Sequence, residues 1–137
     1  MTPGQIALVQ STWSQVASHS AHLAEVFYDR LFQLDPSLRS MFSPDMGEQR
    51  RALMEMLHLV VNGLYCFEEL LPDIEALGRR HVDYGVVESQ YELVRTALLS
   101  MLAEELGDRF TPEVEAVWAA TYDQLADVMK SAAYARV

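Results

Sequence analysis

Apolar residues recur along this chain at spacings of three and four, the helical period, and nowhere in the two-residue alternation bounded by tight turns that marks paired strands. Ile6, Val9, Trp13 and Val16 form the first stripe. Its entry, Thr2-Pro3-Gly4-Gln5, has a capping threonine, a proline at the first helical position and a glutamine three residues past the cap. The pattern fades near Ser18-His19-Ser20 and resumes from Ala21 to Leu34, with Leu23, Phe27, Leu31 and Leu34 inward. Tyr28 falls roughly 100° round from Phe27, at the stripe's edge. A tyrosine there ordinarily keeps its hydroxyl in water; the alternative is a donor pointed into a pocket. Asp35-Pro36-Ser37 stops this helix and starts a short helical turn ending at Met41-Phe42.

Ser43-Pro44-Asp45 opens a helix from Gly47 to Gly63, on which Gln49, Leu53, Met56 and Val60 share one stripe. His58 is turned roughly 180° from Gln49, so whatever Gln49 and Leu53 face, His58 does not. Beyond the apolar connection Leu64-Tyr65-Cys66-Phe67, Leu70, Ile74, Leu77 and His81 align at helical spacing and put an imidazole at the end of a core-facing stripe. Such a histidine is either a neutral core residue with both nitrogens hydrogen-bonded or a ligand to something buried; spacing alone leaves both open. Another helix is predicted from Glu88 to Leu106, with Tyr91, Val94, Leu98 and Met101 on one face and Gly107 as its cap. Thr111-Pro112-Glu113 starts the last, whose broad apolar face holds Val114, Val117, Trp118, Leu125, Val128 and Met129. The pattern predicts an all-α fold of six main helices plus one short helix, in a single domain over residues 1–137.

Composition acts mainly by exclusion. Ten basic against twenty acidic side chains give a net charge of −10, which repels nucleic acid and anionic membrane, so neither is an expected partner. No apolar run reaches the ~18 residues of a membrane span, and the N-terminus lacks the regions of a secretion signal; a cytoplasmic location is the expectation. Cys66 is the only cysteine, which excludes an internal disulfide and any metal centre built on several thiolates. In so acidic a chain the doublets Arg50-Arg51 and Arg79-Arg80 stand out, either as solvated helix ends or as partners for a bound anionic group.

Four motifs then follow one another: Phe27-Tyr28-Asp29-Arg30-Leu31-Phe32; Phe42 after Asp35-Pro36-Ser37; Leu77-Gly78-Arg79-Arg80-His81 with Tyr84-Gly85-Val86; and Phe110-Thr111-Pro112-Glu113. In this order and spacing the chain resembles the globins along essentially its whole length, and among them the bacterial single-domain haemoglobins, the haem domain of flavohaemoglobins and, more distantly, neuroglobin. The resemblance implies a globin fold around a haem pocket, with haem b (iron protoporphyrin IX) as cofactor. By this resemblance His81 is the proximal iron ligand, and Phe42 stacks on the porphyrin. Gln49 takes the distal position, Leu53 is the apolar residue one turn further on, and Tyr28 points into the distal pocket. Leu77, Val86, Tyr91 and Val94 match positions that line the haem. Two departures matter. Ala52 stands where related globins often carry a lysine for a haem propionate, so Arg51, Arg50 or Arg80 is expected to take that part. Ala133 stands where the bacterial relatives carry a glutamate hydrogen-bonded toward the proximal histidine and tyrosine.

The function so implied is reversible binding of dioxygen, and of carbon monoxide and nitric oxide, at a five-coordinate ferrous haem. Donors at Tyr28 and Gln49 predict tight oxygen binding, each hydrogen bond to a partly charged ligand contributing about 1–3 kcal/mol. The alternatives are nitric oxide dioxygenation served by a separate reductase, haem-based gas sensing, and a haem-free interaction module. The resemblance is compatible with a monomer or a homodimer, and with Tyr28 itself reaching ferric iron.

Overall fold

The helical period is realised throughout. The computed structural model, which describes residues 1–134, contains α1 (Pro3–Val16), α2 (Ser20–Leu34), α3 (Gly47–Asn62), α4 (Phe67–Asp83), α5 (Gln90–Leu106) and α6 (Pro112–Ala133). Short 3-10 segments at Ala17–His19, Pro36–Met41, Leu64–Cys66 and Gly107–Arg109 join them, where the sequence pattern predicts one short helix. These segments are one or two turns long, too short to show a stripe of their own. No described helix is long and apolar enough to cross a membrane.

The predicted starts are built as their residues suggest. Thr2 Oγ1 accepts from the Gln5 backbone N–H at 3.1 Å while Gln5 Oε1 accepts from Thr2 N–H at 2.8 Å, a reciprocal cap worth about 1 kcal/mol. Thr111 Oγ1 repeats the first half of this at α6, accepting from Val114 N–H at 3.2 Å.

α4 packs along α6, and α2 along α5, in the two most extensive helix interfaces. Val9, Leu23, Met101, Leu102 and Trp118 are fully enclosed between them. Trp118 Nε1 donates to Thr12 Oγ1 at 2.9 Å, and that hydroxyl donates in turn to Leu8 O at 2.8 Å, so the polar atoms at the α1–α6 contact are paired.

Two helices depart from their predicted stripes. On α2, Tyr28 is buried, 4% exposed, whereas Leu34 at the helix end is 45% exposed. The apolar face is thus wider than predicted, taking in Tyr28 against Phe42 and Gln49, while Leu34 lies at the end of the helix past its packed stretch. On α3 the buried residues are Met54, Leu57, Val60 and Val61, while Leu53 and Met56 are only half-buried. α3 buries one flank against α1 and α2 and turns the Leu53 flank to an internal cavity, so its apolar surface serves two neighbours. It makes no extensive contact with α4, the helix that carries His81.

Candidate functional site

His81 sits in the last turn of α4, half-buried, one helical turn beyond Leu77. Its Nδ1 lies 2.8 Å from the Leu77 carbonyl oxygen. A carbonyl can only accept, so Nδ1 carries the proton and donates, which leaves the lone pair of a neutral ring on Nε2. Nothing among the described residues hydrogen-bonds Nε2. Burial pushes the His81 pKa down, the Leu77 carbonyl opposes this, and the adjacent Arg80 charge pushes it further down. The ring is therefore held neutral with one nitrogen anchored and one available. A satisfied core histidine would have both engaged.

Tyr28 on α2, buried, and Gln49 on α3, exposed, meet each other. Gln49 Nε2 donates to the Tyr28 hydroxyl oxygen at 2.9 Å, which leaves the Tyr28 O–H proton free to donate elsewhere. Burial raises the Tyr28 pKa, with the Gln49 hydrogen bond acting the other way, so the phenol stays protonated. The Tyr28 ring is wedged edge-on against Phe27 at 4.9 Å and Phe42 at 5.6 Å between centroids. Phe32 completes the cluster, 5.6 Å from Phe42, with the Arg39 guanidinium over the Phe32 ring, 5.7 Å from its centroid. The sequence motif contains Phe32 but gives it no role, and Arg39 is not singled out there; the i, i+4 spacing of Tyr28 and Phe32 is the signal that could have assigned the first.

Between these helices lies an apolar cavity of about 40 Å³, lined among others by Phe27, Leu53, Met56, Val94, Leu98 and Trp118. Leu53 and Val94 are thereby brought together on one wall. Leu77 and Val86 pack half-buried at the edge of the core on the His81 side, and Phe42 does so on the Tyr28 side. The Val86 carbonyl accepts from the Tyr134 hydroxyl at 2.8 Å, tying the turn after α4 to the end of α6. Tyr91 is buried, and its hydroxyl has no hydrogen-bond partner among the described residues. Burial, with the nearby Tyr134 hydroxyl adding to it, pushes its pKa up to about 12.

The arginines fall in two places. Arg80 is exposed beside His81. Arg50 and Arg51 line a groove of about 470 Å³ between α2 and α3, together with His58, Glu25 and Glu55. They share that face of α3 with His58 and not the face of Leu53. The two glutamates offset their charge there. His58 is accounted for structurally: its Nδ1 accepts from Trp13 Nε1 at 3.0 Å, with the rings edge-to-face at 5.2 Å. His22 pairs with Glu105 at 2.8 Å, on the surface.

No group of three or more His, Cys, Asp or Glu among the described residues could hold a metal ion. A single neutral imidazole with a free Nε2 suits a metal that brings its remaining ligands with it, as haem iron does. The Tyr28–Gln49 donor pair, the apolar cavity lining and the half-buried Leu77, Val86 and Phe42 suit a flat apolar cofactor. The residues present fit haem.

Known proteins similar to this chain point to one family. The sequence model of the family "Globin" matches residues 25–129. A "Flavohemoprotein" of Rhizobium meliloti is 32% identical over 125 residues, covering 89% of this chain and 31% of that protein. One of Bordetella parapertussis is 33% identical over 132 residues, 94% of this chain and 33% of its own length. The chain thus spans about a third of these relatives. An "Anaerobic nitrite reductase" of Oryza sativa subsp. indica is 30% identical over 134 residues and is matched over 91% of its length. Among solved structures, a bacterial globin from Campylobacter jejuni superposes with a TM-score of 0.85 at 20% identity, over 97% of this chain and 96% of that one.

Proposed function

Because this chain belongs to the globin family, we propose that it holds haem b on His81 and binds dioxygen reversibly, with Tyr28 as the principal donor to the gas. The observation that carries this reading is His81 itself, neutral, anchored through Nδ1 to Leu77 and free at Nε2 among the described residues, in a chain that also pairs the buried Tyr28 hydroxyl with the exposed Gln49 amide. Haem, when bound, supplies the ferrous iron at which a diatomic gas is taken up and released.

The remaining work falls to the chain. His81 Nε2 supplies the protein ligand, and the Leu77 carbonyl fixes the tautomer and the ring's direction. Phe42 offers an aromatic face held by Tyr28 and Phe32, and Leu53, Leu77, Val86, Tyr91 and Val94 keep water from the cofactor. With its oxygen already satisfied by Gln49, Tyr28 would offer its hydroxyl proton as a hydrogen-bond donor to a gas held beside it. Gln49 acts through Tyr28: its amide, donating to the phenol oxygen, orients the hydroxyl and polarises it toward the ligand. Carbon monoxide and nitric oxide fit the same site, with carbon monoxide gaining less from the donor because it carries less charge. Arg80 and Arg51 are the proposed partners of the haem propionates, distinguishable by timing haem transfer from each arginine-to-alanine variant to a haem-free acceptor protein.

The proximal side favours reversible binding over oxidative chemistry. The Nδ1 proton of His81 meets a neutral backbone carbonyl, and Ala133 offers no carboxylate, so the imidazole stays neutral and lends little electron density to the iron. Nitric oxide dioxygenation with a separate reductase is the second reading, suggested by the similarity to the flavohemoproteins. Absorption spectra of the wild type and His81→Ala test the main proposal. A Soret band, a five-coordinate ferrous form and an oxygen complex stable until reduction in oxygen pressure are expected for the wild type only. A wild type that takes up no haem on reconstitution would refute it.

A further inference from the structure

The geometry points to Gly78 as a positioning residue for His81, which sets how far the proximal imidazole projects toward the haem; this rests on the haem reading above. Gly78 lies three residues before His81 on α4, buried where that helix crosses α6. A Cβ built there would stand 2.4 Å from the Met129 carbonyl oxygen, 2.7 Å from its Cα and 2.9 Å from its carbonyl carbon. All three are backbone atoms. No rotamer change relieves the overlap, so the only response open to a larger residue is for α4 and α6 to part, by about 1 Å, to restore ordinary contact.

That displacement reaches His81 directly. The α4–α6 interface is the most extensive in the fold, so α6 is the surface against which α4 is seated. His81 is tied to α4 by its own backbone and by the Nδ1 contact to the Leu77 carbonyl, the residue preceding Gly78. The imidazole therefore moves with the helix segment that Gly78 seats. A shift of about 1 Å in a group that must meet a metal is enough to change bond length and tilt appreciably. Other glycines do not share this arrangement. Gly63 faces chiefly the flexible end of Leu70, and Gly85 and Gly107 have nothing within 4 Å of a Cβ.

The test is the iron–histidine stretching band of the ferrous protein by resonance Raman, in wild type, Gly78→Ala and Met129→Ala. Gly78→Ala is expected to displace the band and to speed haem loss about tenfold, the size of effect that overpacking produces. Met129→Ala removes a core side chain but leaves the backbone contact, so it should lower Tm with the band in place. A merely structural role for Gly78 predicts the same behaviour for both variants. The same substitution in His81→Gly protein supplied with free imidazole should leave the iron–imidazole band unmoved, because that ligand is no longer carried by α4. An unshifted band in Gly78→Ala, an equal shift in the imidazole-supplied protein, or a Gly78→Ala chain that does not fold would each overturn the assignment. Absence of haem from the wild type would instead remove the reading beneath it, and is scored separately.

Discussion

Two tyrosines flank the proposed haem site at nearly the same depth, Tyr28 4% exposed and Tyr91 5% exposed, yet their hydroxyls are treated in opposite ways. Tyr28 receives the Gln49 amide at 2.9 Å and lies in a ring of aromatic neighbours. Tyr91 has no partner for its hydroxyl among the described residues, and the Lys130 ammonium lies 5.8 Å from its ring centroid. The distal phenol is thus prepared to act: its oxygen is satisfied by a neighbour and its proton is left over. The Tyr91 phenol is enclosed, and none of the described residues engages its oxygen or its proton. Burial alone does not make a functional tyrosine; the pairing of its oxygen decides what its proton can do.

The largest effect that sharpens this contrast is on the proximal ligand. His81→Ala should abolish stable haem uptake, seen as loss of the Soret band, while retaining helical circular dichroism. Next comes Tyr28→Phe, which removes the donor and keeps the ring. Oxygen dissociation should accelerate roughly tenfold to a hundredfold, from about 1–3 kcal/mol of lost hydrogen bonding, in stopped-flow displacement by carbon monoxide. Tyr91→Phe removes a buried hydroxyl that bonds nothing, so oxygen dissociation should change less than about threefold and folding stability at neutral pH should be unchanged or rise by about 1 kcal/mol. Denaturant midpoints check the second half, and a large destabilisation would mean that the hydroxyl has a partner in the folded protein.

The weakest expected effect is on pH dependence. Tyr91 is raised from 10.0 to about 12, and burial raises Tyr28, Tyr122 and Tyr134 as well. A raised phenol binds its proton more tightly folded than unfolded, so stability is full below pH 10 and is lost as the pH rises toward 12. Alkaline unfolding titrations should show this loss, and Tyr91→Phe should make it shallower.

Much of the fold was legible because long helices write their period into the sequence. The stripe Ile6, Val9, Trp13 and Val16 is buried as read, and the Thr-Pro starts of α1 and α6 carry the capping bonds their residues suggest. Leu34 was less legible, since its phase is right but the helix ends beyond the reach of its neighbours. Leu53 and Met56 match the core period yet stay half-buried, because periodicity marks an apolar face without saying whether protein or a cofactor covers it. At the site, helical phase correctly separated Gln49 from His58, whereas Trp13 as the partner of His58 depends on the α1–α3 crossing and lies 45 residues away in sequence. Which way the hydrogen bond between Tyr28 and Gln49 runs is likewise a matter of three-dimensional placement. So is the near-contact of Gly78 with the Met129 backbone, for which a lone glycine in a helix gives only a hint.

The most direct test of the central claim is a double-mutant cycle on oxygen dissociation, with wild type, Tyr28→Phe, Gln49→Leu and the double variant measured under one condition. The account, in which Gln49 acts through the Tyr28 hydroxyl, predicts that Gln49→Leu speeds release by less than Tyr28→Phe and adds almost nothing once Tyr28 is Phe. Additive effects, or a Tyr28→Phe protein that releases oxygen at the wild-type rate, would contradict it.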